Sequence, residues 1–260
     1  MDDLEHRGTG EGRSRYGRLV AVRSQNAPVE VVLVHGAWHG AWCWASMAGP
    51  LVRRGFLVRT LDMPGRAGPV HGLGMVGFER ALEQAIAACS QPPVVLAHSM
   101  GGVPVTALAS RAPETLLGAI MLAAFVPRDG DSAAGLTRGL GLHDLERCLR
   151  PDAETGRVGM RRASARRMLY ADVAPEVADA ALAHLVDEPL APMQDAVRVA
   201  QGRLAKVPVH YLFCADDRLL PHACQQALAA HWPGTAETLD GGHSPFMADP
   251  DGLADAVVRA

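Results

Sequence analysis

Short apolar runs alternate with longer amphipathic segments along most of the chain. Runs of this kind, rich in branched aliphatic residues and separated by helical segments, are typical of buried parallel strands. The predicted strands are Arg18–Val22, Glu30–Val34, Leu57–Leu61, Val94–Ala97, Ala119–Leu122, Val209–Phe213 and Ala236–Leu239. The predicted helices are Ala41–Arg54, Phe78–Cys89, Met100–Arg111, Pro221–His231 and Pro250–Val258. This order predicts an α/β fold with a mostly parallel central sheet and helices on both of its faces.

The alternation breaks between residues 126 and 204. This segment contains no convincing strand, but Ser164–Tyr170 and Pro175–Leu185 have the composition of helices. We interpret the segment as an inserted helical cap that lies over the carboxyl ends of the sheet. A second helical domain, unrelated to a functional site, is the alternative. The predicted division is a disordered polar tail at residues 1–17, a core domain at 18–125 and 205–260, and a cap at 126–204.

The apolar run Val94–Ala97 is followed by a serine, Ser99, just before a predicted helix. A serine in a sharp turn between a buried strand and a helix is the arrangement called the nucleophile elbow. The residues two before and two after it must be small because the turn is strained, and Ala97 and Gly101 occupy those positions. An ordinary serine at a helix N-cap has a similar local pattern. The prediction that Ser99 is a nucleophile therefore depends on the rest of the chain.

A nucleophilic serine needs a base that takes its proton and an acid that orients the base. His243 follows the predicted strand Ala236–Leu239 through two glycines, and we predict that it is the base. Asp217 lies just beyond another predicted strand and is the predicted acid, with its neighbour Asp216 as the alternative. Because each of these residues follows a different strand, a parallel sheet would bring them together at one edge.

Two backbone N–H groups must face the oxygen that becomes negatively charged when a carbonyl is attacked. One is predicted to belong to Met100, directly after the serine, and the other to Ala37, in the loop that follows Glu30–Val34. The candidate substrate-binding residues are Trp38, Phe125, Met168 and Tyr170, with plain core packing as the alternative.

Other conspicuous motifs fit structural roles better. His35 is predicted to pack in the loop that follows Glu30–Val34, called the first loop below, and His98 is predicted to pack beside the elbow. The spacing of His35 and His39 lacks the rest of a metal-binding motif, so no metal site is predicted. The letters of Gly72–Gly77 match a dinucleotide fingerprint, but a loop precedes them where that fingerprint requires a buried strand. The basic run Arg161–Arg167 is interpreted as a solvated helix face, with attraction of an acidic substrate or carrier protein as the less favoured alternative.

Composition narrows the classes of function. The chain of 260 residues has 48% hydrophobic and 20% charged residues, as globular proteins do. A formal net charge of -3 gives no electrostatic reason to bind nucleic acid or an anionic membrane. No apolar run reaches the ~18 residues of a membrane-spanning helix, and the N-terminal stretch lacks the apolar part of a signal peptide. Five widely spaced cysteines without a CxxC pair indicate reduced thiols and predict a cytoplasmic protein.

Two motifs carry a resemblance to a known family. The stretch Val32–Trp44 reads VLVHGAWHGAWCW and Ala97–Gly102 reads AHSMGG. Together with Arg167–Asp172 in the predicted cap, they resemble the plant methylesterase and hydroxynitrile lyase group of the α/β-hydrolase superfamily, which has bacterial esterase relatives. The order serine, aspartate, histidine along the chain is also that of the superfamily. The resemblance implies an α/β-hydrolase fold, a triad of Ser99, Asp217 and His243, an oxyanion hole from Ala37 and Met100, no cofactor, and commonly a homodimer.

Two departures from the group favour its esterase branch. The lyases carry a threonine where this chain has Gly36, and a lysine where it has Ser244. The charge of that lysine helps to handle the cyanide leaving group, so its absence argues against cyanohydrin cleavage.

The sequence therefore predicts a serine hydrolase of the carboxylesterase type, which cleaves a small, mostly apolar ester through an acyl-enzyme intermediate. A thioesterase or lactonase, or a lyase or elimination enzyme of a biosynthetic pathway, is the alternative on the same scaffold. A non-catalytic ligand-binding receptor is less favoured because no member of the triad is missing.

Overall fold

The computed structural model describes residues 28–260. The predicted strand Arg18–Val22 and the predicted tail of residues 1–17 lie outside this range. Nine strands lie within it: β1 (Glu30–Val34), β2 (Leu57–Thr60), β3 (Val94–His98), β4 (Gly118–Leu122), β5 (Leu149–Asp152), β6 (Arg157–Met160), β7 (Glu188–Pro189), β8 (Val209–Cys214) and β9 (Thr235–Leu239).

The α-helices of residues 28–260 are α1 (Ala45–Arg53), α2 (Met75–Ala87), α3 (Gly102–Arg111), α4 (Ala133–Gly139), α5 (His143–Cys148), α6 (Arg162–Leu169), α7 (Pro175–His184), α8 (Leu190–Gln194), α9 (Gln201–Leu204), α10 (His222–Ala229), α11 (Pro245–Ala248) and α12 (Pro250–Arg259). The first turns of two predicted helices are 3-10 turns instead, at Ala41–Trp44 and Ser99–Gly101. None of these helices combines the length and the hydropathy that crossing a bilayer requires.

Six parallel strands form the central sheet, in the order β2-β1-β3-β4-β8-β9. The four inner strands are buried at every residue, which explains why they read as continuous apolar runs. Val31 and Leu33 of β1 pack on the face with α1, α11 and α12. Val32 and Val34 pack on the opposite face with α2, α3 and α10. The predicted parallel sheet with helices on both faces is confirmed.

Residues 126–204 contain six of the helices, α4 to α9, and a three-stranded antiparallel sheet in the order β5-β6-β7. The expectation that this segment lacks strands is wrong. These strands have two to four residues and include charged residues, proline and glycine, so they have no apolar run that a local pattern could reveal. Their pairing is partly long-range, since Val158 of β6 pairs with Glu188 of β7.

The parallel arrangement brings four loops to one edge of the sheet. β1, β3, β8 and β9 run in the same direction, so the residues that follow their carboxyl ends lie on the same side. These loops begin at His35, Ser99, Ala215 and Asp240. All the predicted catalytic and oxyanion residues belong to these loops.

Gly102 lies where α3 passes the chain that follows β4. A Cβ atom there would lie 2.4 Å from the carbonyl oxygen of Phe125 and 2.9 Å from Cβ of Ala124. Since these contacts force the backbone apart, we expect Gly102→Ala to lower the free energy of unfolding by about 1–3 kcal/mol in urea titrations. Gly139→Ala in α4 is the control, because nothing lies within 4 Å of its Cβ position. Equal stabilities for the two variants would contradict this packing.

Candidate active site

Ser99 directly follows β3 and has a φ of 53°, in the left-handed region that costs a non-glycine residue about 1–2 kcal/mol. Tight packing holds the turn in place. The carbonyl oxygen of Ser99 accepts a hydrogen bond from the N–H of Phe125 at 2.9 Å. A Cβ atom on Gly101 would lie 2.7 Å from the carbonyl oxygen of His35. This is the conformation and the packing that a nucleophile elbow requires.

The imidazole of His243 lies between Ser99 and Asp217. Its Nδ1 is 2.6 Å from Oδ2 of Asp217, and its Nε2 is 3.1 Å from Oγ of Ser99. With Nδ1–H donating to the carboxylate, Nε2 is left to accept the proton of the serine hydroxyl. The structure thus brings together three side chains that are up to 144 positions apart in the chain.

Asp217, and not Asp216, faces the imidazole. Its Oδ1 accepts the N–H groups of Leu219 and Leu220, each at 2.8 Å, which fixes the plane of the carboxylate. Asp216 is exposed, and its backbone N–H donates to the carbonyl oxygen of Gly241. Of the two acids that the sequence left open, the structure pairs Asp217 with His243.

Gln225 and Asp172 support the triad, although sequence reasoning assigned neither of them a role. The Nε2 of Gln225, in α10, donates to Leu220 O at 2.8 Å and lies 3.4 Å from Oδ2 of Asp217. Asp172 accepts the N–H of Gly242 at 2.6 Å, directly before His243. In the sequence, Gln225 is recognisable only as a polar residue on the buried side of a helix. This feature does not predict a role beside the triad, because buried polar residues of helices make many kinds of contact.

The loop after β1 approaches the elbow closely. A Cβ atom on Gly36 would lie 2.7 Å from Cβ of Ser99. The carbonyl of Ala37 accepts from Nδ1 of His39 at 2.9 Å, and within residues 28–260 the N–H of Ala37 has no hydrogen-bond acceptor. The N–H of Trp38 donates to Glu188 at 2.7 Å and is therefore occupied. Within this range the N–H of Ala37 is thus free, as the prediction of its role requires, whereas that of its neighbour Trp38 is not.

Three further buried histidines surround the site. Burial lowers the pKa of His35 to about 3 and of His39 to about 4, and it lowers the pKa of His98 well below its usual range. His35 accepts the N–H of Met63, and His98 contacts the carbonyl oxygen of His243 at 2.8 Å. All three are therefore neutral near pH 7 and act as packed hydrogen-bonding groups, as the sequence predicted for His35 and His98.

Of the four candidate pocket residues, one lines a cavity and three are buried in the core. Trp38 lines an apolar cavity of about 240 Å³ between the first loop and residues 134–194. Phe125, Met168 and Tyr170 do not line that cavity and are buried in the core instead. The hydroxyl of Tyr170 is 2.7 Å from Nε2 of His39, which links the inserted segment to the first loop.

No group of three or more His, Cys, Asp or Glu side chains in residues 28–260 is arranged to hold a metal ion. The chemistry that the arrangement offers is that of an activated serine beside a free backbone N–H.

Residues 31–256 match the alpha/beta hydrolase family. The chain is 28% identical to a probable esterase, PIR7A, from rice (Oryza sativa), over 88% of this chain and 95% of the esterase. It is 24% identical to a pyrethroid hydrolase from Sphingobium wenxiniae, over 88% of this chain and 86% of that protein. The crystal structure of the methylesterase MES16 from Arabidopsis aligns with a TM-score of 0.76 at 24% identity, over 89% of this chain and 98% of that one. At this level of identity, the structural likeness shows the shared fold.

The choice between the two acids can be tested through the reactivity of the serine. We expect Asp217→Asn to slow the labelling of Ser99 by a fluorophosphonate about 10³- to 10⁴-fold, because the imidazole loses the group that sets its tautomer. Asp216→Asn is the matched control and should label within about twofold of the parent rate. Similar losses in the two variants would contradict the assignment of Asp217.

Proposed function

This chain belongs to the alpha/beta hydrolase family, and from that membership we propose that it is a serine hydrolase of the carboxylesterase type that cleaves a small, mostly apolar ester. One observation carries the proposal. The hydroxyl of Ser99, the imidazole of His243 and the carboxylate of Asp217 form a continuous hydrogen-bonded chain at the carboxyl edge of the sheet. The esterases and hydrolases among its relatives support the same reaction class.

In the proposed reaction, Oγ of Ser99 attacks the ester carbonyl while Nε2 of His243 takes the hydroxyl proton. Asp217 holds the imidazole and stabilises the positive charge that it gains. The imidazolium then gives its proton to the alcohol oxygen as the carbon–oxygen bond breaks, which leaves an acyl group on Ser99. Water, deprotonated by the same imidazole, releases the acid and restores the serine hydroxyl.

The negative oxygen of the tetrahedral intermediate is proposed to accept hydrogen bonds from the N–H groups of Ala37 and Met100. A preorganised donor of this kind stabilises the transition state by about 3–4 kcal/mol, because it acts on charge that is absent from the ground state. The free N–H of Ala37, in a loop that touches Ser99, supports this role.

Two observations support an apolar ester as the substrate class. The cavity beside Trp38 adjoins the loop that carries Ala37 and is lined mainly by apolar side chains, among them Leu145, Val158 and Met193, while the triad residues themselves do not line it. Ser244, where the lyases carry a lysine, is fully buried beside His243 and places no charge there. A thioester or lactone stays an alternative substrate of the same triad. Elimination is not favoured, because the relatives include an esterase and a hydrolase.

Residues 126–204 are proposed to act as a cap over the site. Their contacts with the catalytic loops support this role: Glu188 with Trp38, Tyr170 with His39, and Asp172 with Gly242. A cytoplasmic location is also proposed, because all five cysteines, each within residues 28–260, are free thiols. A small-molecule substrate without a cofactor, and a homodimer, stay predictions of the sequence.

The role of the serine is tested by removing its hydroxyl. We expect Ser99→Ala to reduce kcat for p-nitrophenyl acetate by about 10⁴-fold or more while the urea midpoint is retained. Ser110→Ala is the matched control, because that serine is equally buried but its hydroxyl donates to the carbonyl oxygen of Ala107 inside α3. Unchanged turnover in Ser99→Ala would rule out the proposed mechanism.

Hydrolysis and elimination are separated by the products of 2-phenylethyl acetate in H₂¹⁸O. The acyl-enzyme route yields 2-phenylethanol and acetate that carries one solvent oxygen, since water attacks the acyl carbon. Elimination would yield styrene and unlabelled acetate. We expect the first pair of products, with the Ser99→Ala variant as the measure of uncatalysed hydrolysis. Styrene formation would favour the lyase alternative.

A further inference from the structure

Glu188 is a fully buried carboxylate on β7 of the inserted segment. Its Oε2 accepts the N–H of Trp38 at 2.7 Å and Nη1 of Arg66 at 2.8 Å, and its Oε1 accepts Nη2 of Arg66 at 2.5 Å. The two-pronged contact with the guanidinium compensates the buried charge and fixes the carboxylate in one orientation. Glu188 is 150 positions away from Trp38 in the chain, so this contact exists only in the folded protein.

Arg66 extends the same contact to the other end of the first loop. Its Nη1 also donates to the carbonyl oxygen of His39 at 2.8 Å. The ion pair therefore holds the backbone at Trp38 and at His39 simultaneously. Trp38 itself has a φ of 64°, a left-handed conformation that a tryptophan keeps only when its surroundings enforce it.

The peptide planes on both sides of Ala37 are fixed by these contacts. The first plane consists of the carbonyl of Gly36 and the N–H of Ala37. Its carbonyl accepts a hydrogen bond from Nδ1 of His35 at 2.8 Å. In the next plane, the carbonyl of Ala37 accepts from Nδ1 of His39, and the N–H of Trp38 donates to Glu188. Without an acceptor for the N–H of Trp38, this second plane keeps only the contact of its carbonyl with His39. The two planes are joined at Cα of Ala37, so the N–H of Ala37 is then held less firmly.

We propose that Glu188, held in place by Arg66, is a positioning residue for the backbone N–H of Ala37, so that the inserted segment aligns the oxyanion hole of the core domain. This inference rests on the proposed function, because it assigns a task to a residue that acts through Ala37. Glu188 itself does not touch the reacting atoms. Its loss should affect the transition state more than the bound substrate, since the oxyanion forms only during the reaction.

The test compares Glu188→Gln with the parent enzyme on 2-phenylethyl acetate. The amide keeps the size of the side chain but cannot serve Trp38 and both nitrogens of Arg66. We expect kcat to fall about 10- to 100-fold while KM stays within about threefold. The inhibition constant of 1,1,1-trifluoro-4-phenylbutan-2-one, which forms an oxyanion on the serine, should rise in proportion. That of 4-phenylbutan-2-one, which only occupies the site, should stay within about twofold.

Glu30→Gln is the matched control. Glu30 is also a buried carboxylate that accepts an arginine, Arg59, at 2.6 Å and a backbone N–H, that of Ser90, at 2.6 Å. It lies at the amino end of β1, on the opposite edge of the sheet from Ser99. This variant should lose stability in urea while kcat stays within about twofold of the parent value. A stability loss without a kcat loss in Glu188→Gln would make the two residues equivalent and would overturn the proposal.

Arg66→Lys gives a second, milder variant if Glu188→Gln does not fold. A lysine keeps the charge but cannot bridge both carboxylate oxygens and His39. We expect kcat to fall about 3- to 10-fold with the same split between the two ketones. An unchanged kcat, or equal losses of affinity for both ketones, would overturn the proposal. If the parent enzyme turns over the ester and Ser99→Ala does not, these outcomes concern Glu188 alone. A parent enzyme that neither labels nor hydrolyses would overturn the proposed function and, with it, this inference.

Discussion

The left-handed backbone at Ser99 is the constraint on which the site depends. It turns the chain sharply from β3 into α3 and lifts the serine hydroxyl clear of the sheet. The turn is compact only because neighbouring segments approach without side chains. Ser99 leaves no room for a Cβ atom on Gly36, and the carbonyl of His35 leaves none for a Cβ atom on Gly101. Ser99 is therefore held in its strained conformation by close packing against the loop that also offers the N–H of Ala37.

Four histidines are buried around the site, and their hydrogen-bond partners decide which of them can take part in proton transfer. Loss of hydration lowers the pKa values of His35, His39 and His98, and each of them makes a hydrogen bond to a backbone oxygen. His243 differs because the carboxylate of Asp217 lies against its Nδ1 and can stabilise a proton gained at Nε2. In a site of low polarity, such a fixed pair acts strongly because water does not screen it.

The inserted segment is joined to the core through backbone groups of the catalytic loops. Glu188 accepts the N–H of Trp38, and Asp172 accepts the N–H of Gly242. Both contacts are made by carboxylates, which accept more strongly than neutral groups do. The segment therefore shapes the cavity beside Trp38 and also aligns the two loops that carry Ala37 and His243.

Sequence by itself determined the parallel sheet, the elbow serine and the histidine, because each leaves a local pattern. Buried parallel strands read as apolar runs, and a strained turn excludes large neighbours of Ser99. Within residues 28–260 the boundaries of the predicted elements agreed within a few residues. The strands β5, β6 and β7 were not predicted, because they are too short and too polar to show a period.

Only the tertiary structure decided the choice between Asp216 and Asp217, the ion pair of Glu188 with Arg66, and which candidate pocket residues line a cavity. Adjacent aspartates have the same local chemistry, and their difference arises from which one the loop turns toward His243. A carboxylate that is 122 positions from its arginine has no period or motif that links the two. Local sequence patterns depend on the secondary structure and burial of one segment. These contacts depend instead on which distant segments the folded sheet brings together.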